Sequence, residues 1–365
     1  MIDFKGMLTD APRIKVGYIG CGSHSRRNIL PALKFASVEP VAICDTDHEK
    51  AKVFAKEFGF ERAYGNHLEM LDNEDLDAVF IVTWYDEKYR PIYPSLARNG
   101  LERGFHIFME KPPAATSSEL ISLKEIAGKK NKEIMTAFKK MFFPVNEKAK
   151  ELSEDDSFGG ISMSLLQYPQ YLPTQQELTD YNNGTPVGSV CGFLDHLCHP
   201  VSLLIYLMGY PVNLFYSRSS NGAGIANFTF DDGSIGSIAM TNGASFNGGM
   251  ERTQIYAKNP GIHISIENNV RLSLHRNPPG IDYGSTPSFY KGTADQTTSV
   301  WEPEFSLGQL YNKGLFLLGY YGEIEAFAQA VLNNKKLDKA GIDDAIIITK
   351  IFEAFSKGPD KMITV

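Results

Sequence analysis

The chain lacks most of what would mark a secreted, membrane-spanning or nucleic-acid-binding protein. It has four cysteines in 365 residues, Cys21, Cys44, Cys191 and Cys198, in two distant pairs without framework spacing. That excludes a disulfide scaffold and leads to an expectation of free thiols in a reducing, cytoplasmic setting. The apolar run VSLLIYLMG from Val201 is far short of the ~20 residues that cross a bilayer. The opening stretch MIDFKGMLTDAPRIKV has neither an apolar h-region nor a small-residue cleavage site, so no signal peptide is expected. Basic residues are in deficit, 36 Lys plus Arg against 43 Asp plus Glu for a formal charge of -7. No Lys/Arg-rich run offsets this, so neither a nucleic acid nor an anionic membrane is an expected partner. Internal repeats and low-complexity segments are also missing.

What is present is an ordinary globular composition, 43% hydrophobic and 22% charged, in a chain long enough for two cores. From Ile14 to about Phe138, short apolar runs alternate with helical stretches. IKVGYIG, PVAICD, AVFIVT, HIFME and EIMTAF read as buried strands; RNILPALKF, HEKAKVFAKEF and SELISLKEIAGKK carry apolar residues at helical spacing. Strand–helix alternation predicts parallel βαβ units with right-handed crossovers. After Pro144 the texture changes. ISMSLLQY, GIANFTF, SIGSIAMT, TQIYAK, IHISIE and VRLSLH are separated by turn residues, among them the hairpin signal Asp231-Asp232-Gly233. GTPVGSVCG (184–192) and NPPGIDYGSTP (277–287) read as loops near a working surface.

The expected fold class is therefore α/β. An N-terminal Rossmann dinucleotide-binding domain spans residues 1–138. A C-terminal α+β domain with a large open, mostly antiparallel sheet spans 139–365, and its last helix can pack back on the first domain. A sheet with one face to cover predicts a homodimer or homotetramer formed through it.

The first strand ends in G-x-G-x-x-S, from Gly20 and Gly22 through Ser23 and His24 to Ser25. The first glycine allows the tight turn and the second lets backbone approach a pyrophosphate; the following helix N-terminus offers free N–H groups. Asp45 ends the second strand, where a carboxylate accepts hydrogen bonds from adenosine ribose hydroxyls. Asp45 would also repel a 2′-phosphate, so NAD is expected in preference to NADP.

FLDHLCHPV (193–201) gathers Asp195, His196, Cys198 and His199, residue types shared by metal sites, proton-transfer sites and buried helices. A metal needs three or four converging ligands, and no second cluster supplies them, so none is expected. Pro200 leaves two geometries open. Either a helix starts near His199 with Pro200 in its first turn, or a longer helix kinks there. Only the second keeps Asp195 and His199 on one helical face.

The stretch Phe108-Met109-Glu110-Lys111-Pro112-Pro113-Ala114, with Glu-Lys-Pro closing a Rossmann strand, resembles the Gfo/Idh/MocA (glucose–fructose oxidoreductase/inositol dehydrogenase) family. The N-terminal GxG, the Asp195-x-x-x-His199 spacing, FTFDDGSIGSIAM and the closing helix (347–355) extend the likeness over nearly the whole chain. The resemblance implies an NAD(P)-dependent dehydrogenase oxidising a secondary hydroxyl of a sugar, sugar derivative or inositol. Lys111 and His199 would handle the proton, with Asp195 as their partner, and Glu110 would lie on the cofactor side. A strand-end lysine near other positive charge can have a lowered pKa and share that proton. Lys111–Pro112 is a candidate cis peptide. Thr83, at the end of AVFIVT, and Trp84 after it would line the nicotinamide. Here Trp84 to Tyr89 replace the proline and histidine usual in the family, and Gly100 to Gly104 read as a short insertion. Lys139 and His196 are candidate substrate contacts. Two other readings share the fold, a redox-assisted glycoside hydrolase and a cofactor-sensing regulator.

Overall fold

The computed structural model describes residues 11–245, 250–277, 297–302 and 313–365. The chain begins with β1 (Ile14–Ile19), a π turn at Ser25–Ile29, α1 (Leu30–Leu33), β2 (Val38–Cys44), α2 (His48–Phe58), β3 (Arg62–Tyr64) and α3 (His67–Asn73). Next come β4 (Ala78–Ile81), α4 (Tyr93–Glu102), β5 (His106–Met109), α5 (Ser117–Lys130) and β6 (Ile134–Thr136). These six strands form one parallel sheet in the order β3-β2-β1-β4-β5-β6. That is the doubly wound dinucleotide-binding topology, with the reversal between β1 and β4. The strands are apolar on both faces because helices cover both, and β4 and β5 are buried at every residue.

The chain continues through α6 (Pro144–Ser153), β7 (Ile161–Tyr168), α7 (Gln175–Asn182) and α8 (Gly188–Met208). Seven strands follow: β8 (Asn213–Arg218), β9 (Gly224–Thr229), β10 (Ile235–Met240), β11 (Arg252–Ala257), β12 (Ile262–Glu267), β13 (Arg271–Arg276) and β14 (Thr298–Trp301). It ends with α9 (Lys313–Leu317), α10 (Tyr320–Leu332), α11 (Ile342–Phe355) and β15 (Ile363–Thr364).

Two compact units divide this chain discontinuously. The first takes residues 1–142, 173–202 and 312–358, the second 143–172, 203–311 and 359–365. Against an expected break after Phe138 with the last helix able to pack back on the first domain, residues 173–202 and 312–358 group with the first unit. The reason is packing within that unit. Phe327 of α10 lies edge-on to Phe80 and Phe108, with ring centroids 5.6 and 5.7 Å away. Glu353 of α11 accepts from the Ser117 backbone N–H and hydroxyl at the start of α5, at 2.7 and 2.8 Å.

The second unit is built on a nine-stranded sheet in the order β14-β13-β12-β11-β7-β10-β9-β8-β15, antiparallel except where β7 meets β10. One face carries buried residues such as Leu214, Phe228, Ile238, Ile255 and Ile264. The opposite face leaves Ile225, Ile235 and Val300 about half exposed. Gly233 takes φ 80° in the β9–β10 turn, as the Asp-Asp-Gly signal predicts. The Pro/Gly-rich stretch expected as a loop at 277–287 lies, beyond Asn277, outside the described residues.

The largest local departure is α8. GTPVGSVCG reads as a loop, yet the helix starts at Gly188 and runs through Pro200 to Met208. It is long and apolar enough to cross a membrane by length and composition, but 72% of its most apolar window is buried inside the protein. Burial on this scale outweighs the cost of Gly192 and Pro200 in the helix interior. The segment expected as an insertion at Gly100–Gly104 is the last turn of α4 and its Gly104 stop, φ 88°.

A buried histidine makes stability pH-dependent. Burial, then Lys132, pushes His106 down to about 4, and its Nδ1 accepts the Glu133 N–H at 3.0 Å. Below pH ~6.5 the unfolded chain binds a proton that the folded one refuses, so stability falls between pH ~6.5 and ~4, by up to roughly 3 kcal/mol. Urea unfolding at pH 7 and pH 4.5 should show a smaller pH difference in His106→Asn than in wild type. Equal differences would rule His106 out as the source.

Candidate active site

The site lies at the carboxyl ends of β1, β2, β4 and β5, where an open parallel sheet reverses direction and leaves a crevice. A cleft of about 1040 Å³ opens there, all of it within the first unit. The turn after β1 contributes Gly20, Gly22, Ser23 and His24; β2 contributes Asp45; and the segment after β4 contributes Thr83 and Trp84. Glu110 and Lys111 follow β5, and Asp195 and His196 come from α8. Lys139 and His199 are not among the lining residues.

The glycine turn is braced on three sides. Gly20 N–H donates to Cys44 O at 2.8 Å, and the Ser25 hydroxyl donates to Gly20 O at 2.8 Å. The serine in the motif's third small position therefore does more than pack closely. Asp45 accepts the Cys21 N–H at 2.7 Å and the Asp47 N–H at 3.0 Å, and Lys50 Nζ stands 3.4 Å from it. A Cβ built on Gly22 meets nothing within 4 Å, so the cleft is open over that residue. An open cradle of backbone N–H groups at a helix start, with a strand-end carboxylate beside it, fits a dinucleotide. Trp84 is 74% exposed at the cleft.

Glu110 is buried, and its Oε1 lies 2.8 Å from His24 Nε2. Burial alone would raise its pKa, but His24, Lys111 and Lys139 together hold the carboxyl below the usual range. His24 Nδ1 in turn meets Asn28 Nδ2 at 3.0 Å, and its ring stands edge-on to Tyr320 at 5.8 Å. Lys139 donates to the Tyr320 hydroxyl at 2.8 Å and sits 4.6 Å over that ring.

The Lys111–Pro112 peptide is cis. Lys111 Nζ donates to Asp195 Oδ1 at 2.6 Å, and the Tyr85 hydroxyl donates to the same oxygen at 3.0 Å. The expectation of a lowered lysine pKa is overturned. Burial does press the Lys111 pKa down, but the Asp195 and Glu110 carboxylates outweigh it and the ammonium is held above its ordinary value. Glu110 is the lysine's neighbour in sequence; the fold adds the Asp195 carboxylate, 2.6 Å from the ammonium.

Because α8 is continuous, Asp195 and His199 lie one turn apart on one face. Burial, then Lys111, Lys139, Lys140 and His196, pushes His199 well below its ordinary value, so it is neutral at pH 7. His196 Nε2 lies 4.0 Å from Asp195 Oδ2, and the two imidazole centroids are 6.5 Å apart. Cys198 points its thiol at the Leu194 carbonyl, 3.3 Å away. The four cysteines form no disulfide and are buried.

Tyr85 was not singled out from the sequence, nor was Glu323. The cue for Tyr85 was its place just past a strand's carboxyl end, where such folds put site residues. Glu323 of α10 is fully buried, and burial, then Glu110, raises its carboxyl well above the usual range.

Residues 14–138 match the family model described as "Oxidoreductase family, NAD-binding Rossmann fold" (GFO_IDH_MocA). Among curated relatives, D-xylose 1-dehydrogenase (NADP(+)) 2 of Haloferax volcanii is 26% identical over 199 residues, 54% of this chain and 58% of that protein. The match thus spans little more than half the relative's length. Two solved structures share the fold over nearly their whole length. A dehydrogenase from Chromobacterium violaceum has TM-score 0.77 and 20% identity, covering 95% of this chain and 96% of the other. Myo-inositol 2-dehydrogenase from Lactobacillus plantarum has TM-score 0.69 and 20% identity, covering 97% and 99%.

Proposed function

We propose, for a chain that belongs through residues 14–138 to the Gfo/Idh/MocA oxidoreductase family, an NAD-dependent dehydrogenase acting on a secondary hydroxyl of a sugar, sugar derivative or inositol. One observation carries this reading: the Lys111 ammonium, paired with Asp195 at 2.6 Å, stands in the same cleft as the glycine turn and Asp45. When bound, NAD supplies the hydride acceptor for the carbinol carbon. The chain supplies the rest. Backbone N–H groups around Gly22 hold the pyrophosphate. Lys111 donates to the reacting oxygen and stabilises the charge that develops as its proton leaves. His199, neutral at pH 7, accepts that proton, and Asp195 orients the pair. His196, which lines the cleft, contacts the remaining hydroxyls. The sugar and inositol named for the relatives support the substrate class.

The test is a panel of cyclic and open-chain polyols and sugars read by the absorbance of the NADH formed. Steady NADH accumulation with one of them supports the reading. Cleavage of a glycoside without net NADH, or cofactor binding with no turnover on any member, would reject it.

Asp45 is the basis for choosing NAD, although the Haloferax relative is named for NADP(+). Asp45→Ala should weaken NAD by about tenfold or more and improve NADP, with Lys50 left to meet a 2′-phosphate. Titrations with both cofactors check this; an unchanged NAD/NADP ratio would remove Asp45 as the discriminator.

We also propose a cytoplasmic homodimer or homotetramer, formed through the sheet face that bears Ile225, Ile235 and Val300. Four unpaired thiols suit that compartment.

A further inference from the structure

We propose that Tyr85 is a positioning residue, holding the Asp195 carboxylate in one orientation while the Lys111 ammonium leaves it for the reacting oxygen. The proposal rests on the dehydrogenase reading. A shared atom carries it: Asp195 Oδ1 accepts from Lys111 Nζ at 2.6 Å and from the Tyr85 hydroxyl at 3.0 Å. Lys111 cannot serve a substrate oxygen without loosening its hold on Asp195. A carboxylate tethered by lysine alone would lose its orientation at that moment, and the phenol is a tether that stays. It also takes part of the Oδ1 charge, so the ammonium is held less firmly and exchanges partners more readily.

Tyr85 is itself anchored. Its backbone bridges to Pro91, and Asp86 N–H donates to Arg90 O at 2.9 Å. Asp86 Oδ1 accepts the Lys88 and Arg90 N–H groups, each at 2.8 Å. Arg90 Nη2 donates to the Tyr181 carbonyl on α7 at 2.7 Å, and the Tyr181 hydroxyl donates back to Tyr89 O at 3.2 Å. The 84–91 segment is thus closed on itself and pinned to a helix. Burial, then Asp195, raises the Tyr85 phenol far above its ordinary value. The phenol stays a donor throughout and moves no proton in the reaction.

Tyr85→Phe removes one oxygen and keeps the ring beside Trp84, whose centroid is 5.1 Å away. With the panel substrate, kcat should fall about ten- to a hundredfold, the loss of one hydrogen bond to a charged group. KM for NAD should stay within about twofold. In an Asp195→Ala background, adding Tyr85→Phe should change the rate by less than about twofold, because the phenol then has no carboxylate to hold. An unchanged kcat in the single variant overturns the proposal. So does an equal loss in both backgrounds, which would mark a role in the loop alone.

A second measurement needs no substrate. The rate of acylation of Lys111 at pH 9, followed by peptide mapping, should drop about threefold in Tyr85→Phe as Asp195 grips the ammonium harder. If no panel member yields NADH from the wild type, the dehydrogenase reading falls. The acylation rate then decides the Tyr85–Asp195–Lys111 coupling: a drop sustains it and an unchanged rate overturns it.

Discussion

On the proposed dehydrogenase reading, Lys111→Ala should lower kcat/KM for the oxidised substrate by roughly a thousandfold or more and leave NAD affinity within about threefold of wild type. Two losses add. The donor to the developing alkoxide would be gone, and the Asp195 carboxylate, one-quarter exposed at its side chain, would lose the ammonium beside it. A lone carboxylate next to an oxygen gaining negative charge raises the barrier instead of lowering it. Lys111→Arg should not rescue turnover, because a planar guanidinium cannot reproduce a compact ammonium at the same point. His199→Ala should cost a comparable amount, and the double variant should be little worse than either single one if the two groups act on one proton. Steady-state rates supply the first readout. NAD titration followed through Trp84, the cleft's exposed indole, supplies the second. Near-normal rates in both single variants would end the assignment.

On the proposed reading the same residues would set the pH dependence. His199 carries a pKa pressed well below 6.5 by burial and the surrounding lysines. Its neutral, proton-accepting form therefore persists as pH falls through 6.5, and oxidation should not lose activity there on its account. A decline centred near pH 6.5 that disappears in His199→Asn would contradict this placement.

The parallel sheet was largely legible because its strands are continuous apolar runs, the pattern that burial on both faces requires. β3 was missed for the converse reason. It is a three-residue edge strand, Arg62–Tyr64, exposed or half-buried throughout. α4 was obscured by Gly100, which reads as a breaker. A Cβ there would come within 2.7 Å of Ile107 Cδ1 on β5, so the glycine lets α4 lie against that side-chain tip without moving it. α8 was hidden by its own composition, two glycines and a proline, which local propensity places in loops and tertiary burial overrides.

In the site, the glycine turn, Asp45, Glu110, Lys111 and Asp195 were readable from spacing, strand ends and resemblance. The charge state of Lys111 was not, because it depends on a carboxylate 84 residues away in sequence. Tyr85 escaped notice for the same reason, since its partner is Asp195, 110 residues on. Local pattern identifies which groups carry chemistry. Their pKa values and partners are set by long-range approach, which pattern does not encode.

Gly20→Ala should abolish cofactor binding and cost the fold several kcal/mol, about 2–4 by analogy with other residues forced into strained backbone. Gly20 has φ 108°, a region that L side chains rarely adopt. Its Cβ would run into the Val82 carbonyl and lie 3.2 Å from Thr83 Cγ2. Neither side can yield cheaply. Val82 N–H donates to Ile19 O at 2.8 Å, and Gly20 is tied at its N–H to Cys44 and at its carbonyl to Ser25. Any shift of the turn also pulls the Cys21 N–H from Asp45. Gly22→Ala is the control. Its Cβ meets nothing within 4 Å, so urea unfolding should match wild type while the methyl occupies space a pyrophosphate needs, weakening NAD by about tenfold. Loss of both stability and binding at residue 20, against loss of binding alone at residue 22, separates the glycine that shapes the turn from the one that receives the cofactor. Wild-type stability and NAD affinity in Gly20→Ala would show that the turn can relax, and with it the tight approach of β1 to β4 on which the cleft is built.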